Sequence, residues 1–229
     1  MNITAVMLAR VLAFIDVFEL NPQGAAFYPD LTAGIIERFR FQKYPEKYED
    51  FDESKGVSFL SGTWQGVNVE KLVIYNNGIL VDTRVSTSKS EEILDESLSW
   101  AADKFNLRYQ PSMVRRKRYL SNLIFETEVP ILQGGVGYVG GTETPIEKLC
   151  ERVGRSVATL AGQDLGQYHP IRLDLDFEKL ETQVPIAPFS IQRRGTASFD
   201  ENKYFSEAPL QTDVHVTLLK SFESDVMTA

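Results

Sequence analysis

Residues 67–86 read VNVEKLVIYNNGILVDTRVS, and this stretch decides the class of the fold. Val67 to Tyr75 and Ile79 to Ser86 are both rich in β-branched and aromatic residues, which favour strands. Asn76-Asn77-Gly78 joins the two runs, and Asn and Gly tolerate the positive φ that tight turns require. The pattern predicts a β-hairpin.

The hairpin extends toward the N-terminus of the chain. Val57 to Leu60 is another short apolar run, and the segment from Gly62 to Gly66 supplies a turn before the next strand. We therefore expect a third strand, which makes the hairpin part of an antiparallel meander.

The rest of the chain alternates helical and extended patterns. Ser88 or Ser90 is expected to cap a helix with an apolar face from Ile93 to Phe105. The Pro-containing connection at 106–114 is the candidate boundary between two lobes of a single domain. A hairpin run followed by spaced helices predicts an α+β fold, with a mainly antiparallel sheet covered by several helices. The remaining elements are expected as strands at 118–132, 171–177 and 189–193 and helices at 144–161 and 210–222.

The first twenty residues are strongly apolar. Their large side chains recur at helical spacing: Ile3, Met7, Val11, Ile15 and Phe18. This spacing predicts a helix that is buried in the core or against a partner subunit. Arg10 and Asp16 interrupt the run and no basic residue precedes it, which argues against a signal peptide or a membrane span. We expect a cytoplasmic protein without membrane contact.

Composition limits the chemistry that is available. The 229 residues are 43% hydrophobic and 24% charged, which is typical of a globular protein. With only one Cys and two His, the chain cannot form a zinc site of the usual Cys/His kind or an internal disulfide. We expect no cofactor, and we expect Cys150 to be buried as a small apolar residue.

Charge is unevenly distributed. The formal net charge is −8, and an acidic surface repels the phosphate backbone, which disfavours general nucleic-acid binding. The exception is the basic run formed by Arg115, Arg116, Lys117 and Arg118, in a stretch without Asp or Glu. The favoured interpretation is a charged strand edge that prevents aggregation. An anion-binding patch is the alternative.

A glycine-rich segment, GGVGYVGG at 134–141, contains a GxGxxG match at Gly135, Gly137 and Gly140. Such glycines allow backbone amides to approach a phosphate at the start of a helix. Here the predicted helix begins only near Thr144, later than in the dinucleotide-binding motif, and no P-loop Lys follows. A flexible glycine loop is the favoured interpretation, with a phosphate-binding loop as the alternative.

Acidic residues alternate along a predicted strand, where Asp174 and Asp176 flank Leu175. Together with Glu201 they form a candidate site for a hard cation, with Lys203 positioned to orient an attacking water. A solvated strand face has the same pattern and is the favoured interpretation.

Nothing in the sequence identifies a catalytic group. His169 and His215 lack a recognisable nucleophile or carboxylate partner, and GxSxG, HExxH and paired CxxC motifs are absent from the sequence. We therefore expect a non-enzymatic binding or assembly protein with a protein partner or a second copy of itself. A nucleotide- or phosphate-binding protein ranks second, and a metal-dependent hydrolase or nuclease ranks third.

Overall fold

The computed structural model describes residues 1–22, 24, 26–134, 145–161, 163, 168–176, 186–198 and 201–228. These residues form an eight-stranded antiparallel sheet in the order β2-β3-β4-β1-β5-β8-β7-β6, together with helices, which confirms the α+β class. The strands are β1 (Asn2–Phe14), β2 (Val57–Trp64), β3 (Val67–Tyr75), β4 (Gly78–Thr83), β5 (Arg116–Glu126), β6 (Arg172–Leu175), β7 (Phe189–Arg193) and β8 (Lys203–Ala208). The helices are α1 (Val17–Leu20), α2 (Tyr28–Phe39), α3 (Thr87–Phe105), α4 (Ile131–Gly134), α5 (Pro145–Ala161) and α6 (Thr212–Thr228).

The chain divides into two compact units. The N-terminal unit contains Val6–Ser121 and Pro209–Thr212, and the C-terminal unit contains Met1–Ala5, Asn122–Ala208 and Asp213–Ala229. The chain passes from the N-terminal unit to the C-terminal unit inside β5. The connection at 106–114 lies within the N-terminal unit.

The predicted meander is present in the N-terminal unit. Strands β2 and β3 join through a two-residue turn, Gln65-Gly66, in which φ is +46° and +81°. Strands β3 and β4 join through Asn76-Asn77, with Tyr75 paired to Gly78. The hairpin and the third strand are thus confirmed. Strand β2 extends beyond Leu60 to Trp64, and β4 ends at Thr83 instead of Ser86.

Gly78 has a different role from the one its place in the turn suggested. The described glycines with positive φ are Gly24, Gly56 and Gly66, so Gly78 does not use its conformational freedom. A Cβ at Gly78 would lie 2.8 Å from the carbonyl oxygen of Ala13 in β1. Gly78 is therefore needed because two neighbouring strands approach closely there.

The helix predicted over the first twenty residues is wrong, because this segment forms β1, a central strand between β4 and β5. Ala9, Val11 and Ala13 alternate as buried residues along the strand, with Val11 paired to Val81. A central strand is apolar on both faces, so its residues satisfy the helical spacing as well as the two-residue spacing. The prediction failed because periodicity alone cannot separate these two cases.

The N-cap of helix α3 lies two residues before Ser88 and four before Ser90, the two predicted caps. Ser86 is the N-cap, since its hydroxyl accepts a hydrogen bond from the Lys89 amide at 3.1 Å. Ser90 lies inside the helix and instead donates to the Ala9 carbonyl of β1 at 2.7 Å. The helix ends at Asn106, which adopts the left-handed conformation with φ of +53°.

In the C-terminal unit, β6, β7 and α5 lie where the sequence placed them, with small shifts in their bounds. Helix α6 is also present but ends at Thr228, six residues beyond its predicted end. The strand predicted over 118–132 ends instead at Glu126, and the short helix α4 begins at Ile131. Strand β8 was not predicted at all. Its buried residues alternate as Tyr204, Ser206 and Ala208, and the ring of Tyr204 stacks on Phe125 of β5 at 5.6 Å.

Candidate functional site

The basic run lies at the start of β5, and the strand geometry separates its charges. Arg116 and Arg118 lie together over the ring of Phe14, at 4.4 and 5.6 Å from its centroid. Arg115 is 3.6 Å from a carboxylate oxygen of Glu19. Arg116 and Arg118 therefore lie together, as the two-residue repeat of a strand requires, whereas Arg115 and Lys117 have other partners.

Lys117 and Arg116 both line a polar groove of about 520 Å³, which also contains the counter-ions of Lys117. Its ammonium donates to Glu91 at 2.9 Å and to Asp95 at 2.8 Å. Partial burial alone would lower the pKa of Lys117, but the hydrogen bonds to Asp95 and Glu91 outweigh it and raise that pKa. An incoming anion would have to compete with two carboxylates that already neutralise this lysine.

Two tyrosines complete the groove. Tyr119 donates to Glu91 at 3.0 Å, and both burial and this carboxylate raise the pKa of Tyr119. Burial and the charge of Asp95 likewise raise the pKa of Tyr109. Lys117, Tyr119, Glu91 and Asp95 thus form one hydrogen-bonded cluster in the groove, and an anion-binding role stays a prediction.

The other predicted anion-binding residues, Gly135, Gly137 and Gly140, lie outside the described residues.

Of the predicted metal ligands, Asp174 accepts from the Arg172 guanidinium at 2.6 Å and Glu201 accepts from the Ser198 hydroxyl at 3.1 Å. Asp176 directly follows β6. In the described ranges there is no group of three or more His, Cys, Asp or Glu residues that could hold a metal ion.

Lys203 also forms an ion pair, since its ammonium lies 2.8 Å from Glu126 in the neighbouring strand β5.

Cys150, which we expected to be buried, is half-buried and free on α5. None of the described helices is both long and apolar enough to cross a bilayer.

The structure shows a site that the sequence did not indicate, an apolar cavity of about 250 Å³ inside the N-terminal unit. Helices α1, α2 and α3 and the hairpin β3–β4 build it. The β3 side chains Leu72 and Ile74 lie on one face of the strand, and Leu94 and Leu98 lie one turn apart on α3, so each pair points the same way. Aromatic rings complete the lining: Phe18, Tyr28, Phe39 and Trp100.

Few polar groups reach this cavity. The Tyr28 hydroxyl is buried, and the Glu53 carboxylate lies beside it. The carboxylate of Glu53 lines the same wall, and the pKa of Tyr28 is raised above its ordinary value first by burial and then by the charge of Glu53. Tyr28 therefore stays protonated at physiological pH and presents a hydroxyl to the cavity.

Exposed aromatic residues lie beside the opening. Phe18, which lines the cavity, is 63% exposed, and Phe27, next to Tyr28 in the chain, is 66% exposed. Large exposed aromatic side chains next to an apolar cavity are typical of a binding site, because a ligand or its entry path covers them.

His215 and Ser206 form a hydrogen-bonded pair that is enclosed in the protein interior. Both residues are 0% exposed, and the His215 Nε2 lies 2.8 Å from the Ser206 hydroxyl. That hydroxyl also bonds the Ser190 carbonyl at 2.7 Å. Because a hydroxyl has a single hydrogen, donation to the carbonyl leaves it to accept from a neutral imidazole. The sequence did not indicate Ser206 as a partner of His215, and the structural role favoured for this histidine stays a prediction.

Comparison with known proteins does not assign a family. No protein-family model matches the sequence, and no curated protein matches it significantly.

Proposed function

We propose that the chain is a non-enzymatic binding protein whose N-terminal unit holds a small, largely apolar molecule in the cavity between α2, α3 and the β3–β4 hairpin. The observation that supports this proposal most strongly is the cavity itself, with its mainly apolar lining and the buried hydroxyl of Tyr28. Ligand sites are typically concave and apolar with a few placed polar groups. The single cysteine of the chain and its acidic composition fit a cytoplasmic role.

The lining favours binding over chemistry. The polar side chains in it are Asn21, Tyr28, Glu53 and Ser97. The Asn21 amide is bonded to both backbone groups of Ala26, and the Ser97 hydroxyl donates to the Ile93 carbonyl. No nucleophile hydrogen-bonded to a general base is found among these described lining residues, so the arrangement provides contact area and one or two polar anchors.

We expect 2-phenylethanol to bind the full chain with a dissociation constant below about 1 mM, equivalent to about −4 kcal/mol. Apolar side chains would enclose the phenyl ring, and the hydroxyl of the ligand would form a hydrogen bond with the Tyr28 hydroxyl. Isothermal titration calorimetry measures the affinity, and binding at a hundredfold excess over the dissociation constant adds about 2.7 kcal/mol to the unfolding free energy.

The matched variants are Ala101→Leu and Ala102→Leu. Ala101 lines the cavity, whereas its neighbour Ala102 does not, and both lie in α3, where Leu is a good helix former. The first variant should weaken binding at least tenfold because the larger side chain occupies the cavity. The second should leave it unchanged. Equal affinity in both variants, or no binding to the unmodified chain, would contradict the proposal.

A second candidate function is self-assembly, in which two copies of the chain contact each other through α5. This candidate corresponds to the homo-oligomer expected from the sequence. The observation that favours it is an exposed apolar face on this amphipathic helix: Leu149 is 59% exposed and Leu160 is 88% exposed. A two-fold contact would let the same face cover itself in both copies.

The assembly candidate predicts that Leu149→Glu lowers the mass measured by light scattering from that of a dimer to that of a monomer. Thr159→Glu is the control, because it adds the same charge at an exposed position away from Leu149 on the same helix. A monomeric unmodified chain, or a dimer that survives Leu149→Glu, would exclude this candidate.

A further inference from the structure

The polar wall of the cavity presents mainly hydrogen-bond acceptors. The carboxylate of Glu53 only accepts, and the Ser97 hydroxyl has already donated its hydrogen to the Ile93 carbonyl. The Asn21 amide accepts from the Ala26 amide and donates one of its two hydrogens to the Ala26 carbonyl. The Tyr28 hydroxyl can both donate and accept. A ligand that satisfies this wall must bring hydrogen-bond donors of its own.

The charge on this wall is negative. Glu53 is half-buried and makes no ion pair with any described residue, and the nearby Lys55 is paired with Asp52 at 2.9 Å. A carboxylate beside apolar surface is stabilised by a cation that reaches it. A ligand carboxylate at the same place would be repelled, and a neutral hydroxyl would leave the charge without a counter-ion.

Aromatic rings provide a second reason for a cation. Tyr28 and Phe18 both line the cavity, and the face of an aromatic ring attracts a cation within about 6 Å of its centroid. Trp100 also contributes to the lining, but its ring is already approached by the Arg38 guanidinium at 4.8 Å. We therefore place the cation at the Tyr28 and Glu53 end of the cavity.

The volume limits the size of the molecule. A cavity of roughly 150 Å³ holds benzene, which has six non-hydrogen atoms. By proportion, the 250 Å³ of this cavity accommodates about ten non-hydrogen atoms.

We propose that the cavity binds a small primary amine of about ten non-hydrogen atoms, with its ammonium group on Glu53 and the Tyr28 hydroxyl and its aromatic or aliphatic body among the apolar side chains of α2, α3 and β3. This inference rests on the proposed function, since it specifies the ligand class of the same site. The ammonium supplies three donors, which match the acceptors on the wall.

The test compares three probes of similar size and shape by calorimetry on the full chain: 2-phenylethylamine, 2-phenylethanol and 3-phenylpropionate. We expect the amine to bind at least tenfold more tightly than the alcohol, and the carboxylate to bind most weakly. Glu53→Gln should remove at least tenfold of the amine affinity and leave the alcohol affinity within about twofold, because the amide keeps the shape without the charge.

Glu49→Gln is the matched control, because it removes one negative charge from an exposed position four residues earlier in the chain. It should leave the amine preference unchanged. If the alcohol binds as tightly as the amine, or if Glu49→Gln and Glu53→Gln act equally, the amine assignment is overturned while the cavity remains a binding site. If none of the three probes binds, the proposed function itself fails.

Discussion

Replacing Val11 with Asp is expected to unfold the N-terminal unit at neutral pH and room temperature. Val11 is 0% exposed and belongs to the core cluster formed with β3, β4 and the helices. A carboxylate at this position would be buried without a partner, which costs several kcal/mol. That cost is comparable with the total stability of about 5–15 kcal/mol that domains possess. Circular dichroism and urea unfolding measure the loss.

The same strand provides the control for this prediction. Met7 also lies in β1 but is 40% exposed. Met7→Asp should cost less than about 1.5 kcal/mol, since the charge stays in water and the remaining loss is that of strand propensity. Wild-type stability in the Val11→Asp protein would show that this side chain is not enclosed, and equal losses in the two variants would show that burial is not the cause.

The sequence predicted the elements whose signals are local. The hairpin at 67–86 and strand β7 rest on β-branched runs and turn residues, and α3 rests on a periodic apolar face. The prediction for β1 was wrong because the choice between helix and strand depends on the neighbouring strands β4 and β5. Local periodicity carries no information about those neighbours. Strand β8 was missed because small Ser206 and Ala208 occupy its buried positions and carry little apolar signal.

The candidate site was less predictable than the fold. Part of the arrangement of the basic run follows from the two-residue repeat once β5 is assigned: Arg116 and Arg118 both contact Phe14, whereas the Lys117 ammonium bonds Glu91 and Asp95. The cavity is different, because Tyr28 and Glu53 are 25 positions apart and lie together only after α2 and the following connection have folded. A Tyr and a Glu at this separation form no recognisable motif.

His215 is expected to make the stability of the C-terminal unit depend on pH between about 6.5 and 4. Burial lowers the pKa of His215 to about 4, because the imidazole is 0% exposed and the charged form is poorly solvated there. In the unfolded chain the same group titrates near its ordinary value of about 6.5. Between these two values the unfolded chain binds a proton that the folded chain does not, so acid favours unfolding.

The sign and size of this effect follow from the two pKa values. The contribution of His215 is fully present above about pH 6.5, declines as the pH falls, and is lost below about pH 4, with a total of about 3 kcal/mol. Urea unfolding at pH 7 and pH 4.5 measures it. His215→Gln keeps a polar partner for the Ser206 hydroxyl without titrating in this range.

The His215→Gln variant should therefore be less stable than the unmodified chain at pH 7 but lose less stability on acidification. His169→Gln is the control, since it removes the other of the two histidines and should preserve the pH dependence. Nuclear magnetic resonance titration of the imidazole protons gives a direct reading, with the two signals assigned by these variants. A His215 signal that titrates near pH 6.5, or equal slopes in the unmodified chain and His215→Gln, would contradict a buried neutral imidazole that stabilises the fold.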